Sequence, residues 1–286
     1  MFELLMLRNE LFLSSWPWHV QLVLLILVLR VLKTSTLKYY FAYTVYVGLS
    51  MFLAFFYMFI FMLRPRNPSN ITLTSPVASL VSRWIGIDWT LRGKQHLVAA
   101  EAGVLVANHQ SIFDALGIMT IGNSLKRVIT IARKEVFYFV PFGISAWLGG
   151  VFFINRHDRK TSFQTLLDTG ALSKEKQSKL IIFPEGTRNR DGSKTLLPFK
   201  TGAFRVAITN QLPIYPVVFS NYYFLDGKRR SFHNGQVIIE ALPPISTKGL
   251  TMDDMDNLVQ KTWTIMQDKY KLLQQEVASR NKNERL

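Results

Sequence analysis

The segment from Phe41 to Leu63 (FAYTVYVGLSMFLAFFYMFIFML) carries no charged side chain, and it limits the architecture more than any other feature. As a helix it would be roughly 35 Å long, against about 30 Å for the hydrocarbon core of a bilayer. Lys38, Tyr39 and Tyr40 precede it and Arg64 and Arg66 follow it, where interfacial rings and snorkelling cations belong. Pro65 and Pro68 then stop the helix. Upstream, Val20 to Val31 (VQLVLLILVLRV) is apolar but shorter, with Trp16, Pro17, Trp18 and His19 before it. It reads as a second hydrophobic helix over about 11–32, either spanning or lying in the interface. No small-residue cleavage site follows it, which counts against a removed signal peptide. The expected organisation is an N-terminal two-helix membrane anchor over residues 1–68, with the span at 41–63, and a globular domain over 69–286.

Of the 286 residues, 49% are hydrophobic and only 19% charged, which excludes a disordered chain. The ordinary globular mixture beyond residue 70 argues against a multi-spanning transporter. The absence of cysteine removes disulfide frameworks, cysteine-ligated zinc, iron–sulfur clusters and thiol nucleophiles. The net charge of +15 attracts polyanions: nucleic acid, anionic headgroups or phosphorylated substrates.

Short apolar runs recur after residue 70: Val104–Val106, Val128–Ile131, Val151–Ile154, Leu180–Phe183, Ile214–Phe219 and Val237–Ile239. Each is bounded by Gly, Pro, Asn or charge, as buried strands are. Helix-compatible stretches lie between several of them: Ser111–Ile121, Lys134–Leu148, Thr161–Gln177 and Thr201–Asn210. This alternation predicts an α/β fold, a mixed and largely buried sheet flanked by helices. Apolar residues at helical spacing after Thr251, with Asp253, Asp254 and Asp256 in the first turn, predict a final amphipathic helix that frays from Ser279 onward.

Two segments carry chemistry. The first strand run leads into Asn108-His109-Gln110-Ser111-Ile112-Phe113-Asp114. An H-x4-D spacing does not share one face of a straight helix. It works if His109 sits on the turn after the strand and Asp114 in the first turn of the next helix. Asp114 then accepts from His109 Nδ1–H and leaves Nε2 as a base, the division of labour of a hydrolase triad without its nucleophile. Ser111 reads as a helix-start hydroxyl. His96, His157 and His233 lack such a setting. The second segment is Phe183-Pro184-Glu185-Gly186-Thr187-Arg188, where Pro and Gly shape a strand exit and Arg188 offers a permanently charged fork. Arg156 ends another strand, and Lys200 precedes a helix start. Three cations at strand or helix ends point to an anion at one sheet edge.

NHQSIFD, GVFFINR (Gly150–Arg156), FPEGTR and LPIYPVV (Leu212–Val218) resemble the four ordered sequence blocks of the glycerolipid acyltransferases. The resemblance covers roughly residues 90–245. It is nearest to the animal endoplasmic-reticulum type of 1-acyl-sn-glycerol-3-phosphate acyltransferase, with Thr201 standing where relatives often carry a second Lys. The resemblance implies transfer of an acyl group from acyl-CoA to the sn-2 hydroxyl of lysophosphatidic acid. His109 and Asp114 would be catalytic. Arg156, Glu185, Gly186, Thr187, Arg188 and Lys200 would bind the acceptor, with Glu185 either touching it or orienting Arg188. Ile214 and Pro216 would pack or meet the acyl donor. It implies an integral protein of the endoplasmic-reticulum membrane, with acyl-CoA as co-substrate and no tightly bound cofactor, metal or nucleic acid. The alternatives are a relative acting on glycerol 3-phosphate or another lysophospholipid, a lipid hydrolase, and a basic membrane scaffold. The lack of a G-x-S-x-G elbow counts against a serine hydrolase.

Overall fold

The computed structural model describes residues 17–23, 34–98, 101–155, 157–189 and 195–283. Most of the expected first hydrophobic helix lies outside these; residues 18–23 are helical. The uncharged segment is part of a longer helix, α1 (Thr34–Met62), which begins before Lys38 and ends just short of Leu63. It is followed by α2 (Asn70–Ile85), β1 (Ile87–Arg92) and β2 (Gly103–Ala107). Then come α3 (Phe113–Thr120), β3 (Val128–Arg133), α4 (Phe142–Leu148), β4 (Val151–Ile154), α5 (Arg159–Glu175) and β5 (Lys179–Ile182). The chain closes with α6 (Gly202–Asn210), β6 (Ile214–Phe219), β7 (Leu225–Asp226), β8 (Ser231–Phe232), β9 (Gly235–Ala241) and α7 (Met255–Asn283).

Among the described residues seven strands form one mixed sheet in the order β1-β9-β6-β2-β5-β3-β4, and β7 and β8 make a separate small hairpin. The pairs from β6 through β4 are parallel, β9 runs antiparallel to β6, and β1 is parallel to β9. Alternate side chains feed two apolar layers, as strand geometry requires. Leu105, Ala107, Val217 and Phe219 face one layer with α2 and α3; Val104, Val106, Ile214 and Val218 face the other with α6 and α7.

α1 lies against the first layer instead of standing apart from the domain. Tyr43 and Tyr46 set their rings at 5.1 and 5.2 Å from that of Phe113. The Tyr46 hydroxyl donates to the Ile112 carbonyl at 3.2 Å, and Lys38 donates to Asn234. At the far end, Phe61 packs on Gly149. The outward face leaves Phe52, Phe55, Phe56 and Phe59 about half exposed.

Three local readings are corrected. Lys134–Leu148 is not one helix: a turn at Lys134–Phe137 ends before Pro141, and α4 starts beyond it. Proline has no N–H for the helical ladder, so a second helix must begin at it. The C-terminal helix runs on past Ser279 to Asn283, after a Thr251–Asp254 capping box. β1 and α2 complete the fold where no element was expected.

Candidate active site

The parallel order places the carboxyl ends of β5, β2 and β6 side by side, and each runs into a site segment. Ligands in open α/β sheets gather at this edge. Asn108 extends the β2–β6 ladder beyond its last pair, Ala107 with Val217. Its amide donates to the Phe219 carbonyl at 3.1 Å and accepts from the Phe219 N–H at 2.8 Å.

That clamp fixes the turn on which His109 sits. His109 Nδ1 lies 2.6 Å from Asp114 Oδ2. The same oxygen accepts the Gln110 and Ser111 N–H groups at 2.6 and 3.1 Å. Asp114 Oδ1 accepts the Tyr222 hydroxyl at 2.7 Å. Asp114 is fully buried in the first turn of α3, and these four contacts satisfy both oxygens of its carboxyl there. Burial, then the charge of Asp114, pushes the Tyr222 phenol well above its ordinary range, so it remains a donor. In the tautomer that donates from Nδ1 to Asp114, a neutral imidazole carries its lone pair on Nε2. The His109 side chain is a quarter exposed and stacks on Phe183 at 4.2 Å. The Ser111 hydroxyl accepts from the Phe113 N–H at 3.4 Å, a helix-start contact.

The turn after β5 is bound to the backbone N–H and carbonyl of His109. The His109 N–H donates to Glu185 Oε1 at 2.7 Å, and the His109 carbonyl accepts the Asn189 N–H at 2.7 Å. Glu185 Oε2 takes the Leu197 N–H at 3.0 Å. Glu185 is only 2% exposed, and burial holds its carboxyl above the usual range although both oxygens accept backbone N–H groups. Each of its oxygens thus braces the scaffold through a backbone N–H. Gly186 takes φ +67°, in the left-handed region. Lys200 lies over it, its Cε and Nζ 2.9 Å from where a β-carbon would stand, and its N–H donates to the Pro184 carbonyl at 2.8 Å. Arg188 is half-buried, near enough to α1 for its charge to act on the Tyr43 phenol, and Thr187 is exposed on the same turn.

The structure thus brings His109, Asp114, Gly186, Thr187, Arg188 and Lys200 to one edge. Arg156 lies outside the described residues; β4, which precedes it, ends at the same edge, separated from β5 by β3. Ile214 and Pro216 are buried within β6, so they pack and are not open to a donor. Pro216 is tolerated in an interior strand because its carbonyl accepts from Leu242, one residue beyond the β6–β9 ladder, where no donor is required. Sequence reasoning missed Tyr222, Asn108, Gln110 and Phe183. The Gln110 amide donates to the Ser220 carbonyl at 3.0 Å, and its oxygen faces the Tyr270 hydroxyl at 3.4 Å. Among the described residues no three His, Asp or Glu side chains converge as a metal site.

Residues 88–220 match the Acyltransferase family model. The chain is 35% identical over 254 residues to 1-acyl-sn-glycerol-3-phosphate acyltransferase alpha of Homo sapiens, across 86% of this chain and 88% of that relative. The chain belongs to the glycerolipid acyltransferase family. This acyltransferase is also 34% identical to the human beta relative over 247 residues, covering 85% and 87% of the two chains. With the 1-acyl-sn-glycerol-3-phosphate acyltransferase of Escherichia coli it shares 32% over 217 residues, covering 76% and 86%. Its fold matches the crystal structure of the 1-acyl-sn-glycerophosphate (LPA) acyltransferase PlsC from Thermotoga maritima. The TM-score is 0.65 at 23% identity, over 83% of this acyltransferase and 94% of that chain.

Proposed function

We propose that this acyltransferase moves a fatty acyl group from acyl-CoA to the sn-2 hydroxyl of 1-acyl-sn-glycerol 3-phosphate, giving phosphatidic acid and CoA. His109 Nε2 accepts the hydroxyl proton as the oxygen attacks the thioester carbonyl carbon. Collapse of the tetrahedral intermediate breaks the carbon–sulfur bond, and the proton passes from His109 to the departing thiolate. No acyl-enzyme forms. Asp114 holds the productive tautomer and balances the imidazolium, and base assistance of this kind contributes on the order of 10²–10⁴-fold. Arg188, Lys200 and Arg156 hold the acceptor's phosphate, with Gly186 and Thr187 shaping the turn around it. The supporting observation is the buried, fully satisfied Asp114 at 2.6 Å from His109, whose backbone is joined to the turn carrying Arg188.

The acceptor is an amphiphile of the bilayer, so the protein works as a membrane enzyme, and its resemblance to the animal type favours the endoplasmic reticulum. α1 supplies the apolar contact, and the positive balance favours an anionic leaflet by about 1 kcal/mol per suitably placed cation.

The test supplies purified full-length protein with labelled oleoyl-CoA and a panel of acceptors: lysophosphatidic acid, glycerol 3-phosphate and lysophosphatidylcholine. Acylation confined to the first supports the proposal; release of free fatty acid without transfer refutes it. His109→Ala abolishes transfer without loss of membrane association. Arg188→Ala raises the acceptor's KM more than the donor's, because the guanidinium it removes grips the phosphate.

A further inference from the structure

Between the carboxyl end of β3 and the start of α4, three consecutive large side chains stand in solvent. Tyr138 is 66% exposed, Phe139 63% and Val140 59%. Nothing in the proposed chemistry uses them. A buried loop residue would have been recruited to the core, and a soluble surface rarely sets three such side chains in a row. The preceding positions, Arg133, Lys134 and Glu135, are also exposed, so the apolar tip has a base with two cations and one anion.

Position decides what this tip meets. β3 is parallel to β5, so the loop leaves the same edge of the sheet as His109 and Arg188. The helix it feeds, α4, packs along α1, whose outward aromatic row is about half exposed. At the far end of α4, the Arg66 N–H donates to the Leu148 carbonyl at 2.6 Å. There the Arg66 guanidinium covers the Phe152 ring at 4.1 Å and the Trp147 ring at 5.3 Å, and Trp147 is 43% exposed. Aromatic residues beside Arg and Lys are the composition of a bilayer interface.

We propose that Tyr138, Phe139 and Val140 form a wedge that enters an anionic lipid leaflet beside α1, with Arg133 and Lys134 at headgroup level. An interfacial apolar element reaches about 5–10 Å below the headgroups. The wedge is a second point of attachment: α1 and the loop together fix the tilt of the domain, so that the sheet edge with the site faces the leaflet. The kinetic consequence rests on the proposed function; the insertion itself does not.

The cysteine-free chain allows a direct test. Full-length Phe139→Cys protein is labelled with an environment-sensitive fluorophore and reconstituted into phosphatidylcholine vesicles containing phosphatidylserine. Lys248→Cys is the reference, exposed after β9 near the opposite edge of the sheet, where Ile245 bridges to Ile214 at the start of β6. Insertion gives a blue-shifted emission at position 139, severalfold weaker iodide quenching than at 248, and strong quenching by spin-labelled acyl chains. Equal iodide quenching at the two positions overturns the proposal. So does quenching at 139 by a second labelled copy without quenching by lipid, which makes the patch a protein interface. Tyr138→Ser with Phe139→Ser raises the apparent KM severalfold for a long-chain acceptor in vesicles and leaves turnover of a water-soluble short-chain acceptor unchanged. Equal effects on both acceptors count against a membrane role. A chain inactive on every acceptor refutes the proposed function while leaving the fluorescence result standing.

Discussion

Tyr222→Phe isolates one hydrogen bond at the centre of the site. The phenol is 5% exposed, its hydroxyl donates to Asp114 Oδ1 at 2.7 Å, and Asp114 itself is wholly buried. Removing the oxygen leaves the ring packing in place and takes the donor from Oδ1 in a space closed to bulk water. Hydrogen bonds to charged groups contribute about 1.5–3 kcal/mol, so stability falls by that order and Tm by several degrees. Oδ2 keeps its three contacts, so the carboxyl stays in place but orients the imidazole less firmly. The kcat falls by up to about tenfold, the rate equivalent of about 1.4 kcal/mol, and the acceptor's KM changes little. The assay is steady-state transfer from labelled oleoyl-CoA, beside thermal melts of both proteins. An unchanged Tm with normal kcat would show that Tyr222 only fills space and that Asp114 does not depend on its hydroxyl.

Glu185→Gln leaves one acceptor oxygen for two backbone donors and turns an amide N–H toward either His109 or Leu197. Activity and stability should both fall, as judged by transfer rate and melting. Because burial raises the Glu185 carboxyl above its ordinary value, its contribution to stability is fully present below the normal carboxylate range and is lost as pH rises through the raised value. Melts across pH should therefore show the wild-type advantage over the Gln variant widest in acid and narrowing toward neutrality; a margin that widens with pH would contradict this. Gly103→Ala places a methyl group against the Tyr215 ring and 2.8 Å from the Pro213 carbonyl, inside the fully buried β2. Overpacking of this kind costs about 1–3 kcal/mol, read as a lower Tm with an unchanged acceptor KM in the surviving fraction.

Strands that bury both faces announce themselves as unbroken apolar runs, which is why β6 coincides with its expected bounds and β2, β5 and β9 differ only at their ends; β4 is a half-buried edge strand, legible because its four residues (VFFI) are all apolar. β1 (IDWTLR) was hidden because it is an edge strand, buried only at Ile87, with polar residues at alternate positions. β7 and β8 are two residues each and depend on tertiary contacts. α2 carries Pro76, Ser and Thr, which conceal its helical period. The pairing of His109 with Asp114 was legible because both lie on one strand–turn–helix unit. The rest of the site was not, because it is assembled across strands. Tyr222 comes from beyond β6, and Glu185 acts on His109 through backbone atoms that no side-chain pattern encodes. The inward aim of Glu185 and the interior position of Pro216 follow from sheet order, which composition leaves open.

Two hydrogen bonds tie the His109 backbone to the turn holding Arg188, one accepted by the Glu185 carboxylate and one donated by the Asn189 N–H, and under the proposed function they make base and anion grip a single gauge. An acceptor seated by its phosphate presents whichever hydroxyl lies one fixed span away. In a lysolipid whose acyl chain has migrated to the middle carbon, the free hydroxyl stands one carbon farther along the glycerol, beyond the imidazole. Positional choice on the glycerol would then be a property of the peptide frame, and the acyl pocket need not read it at all.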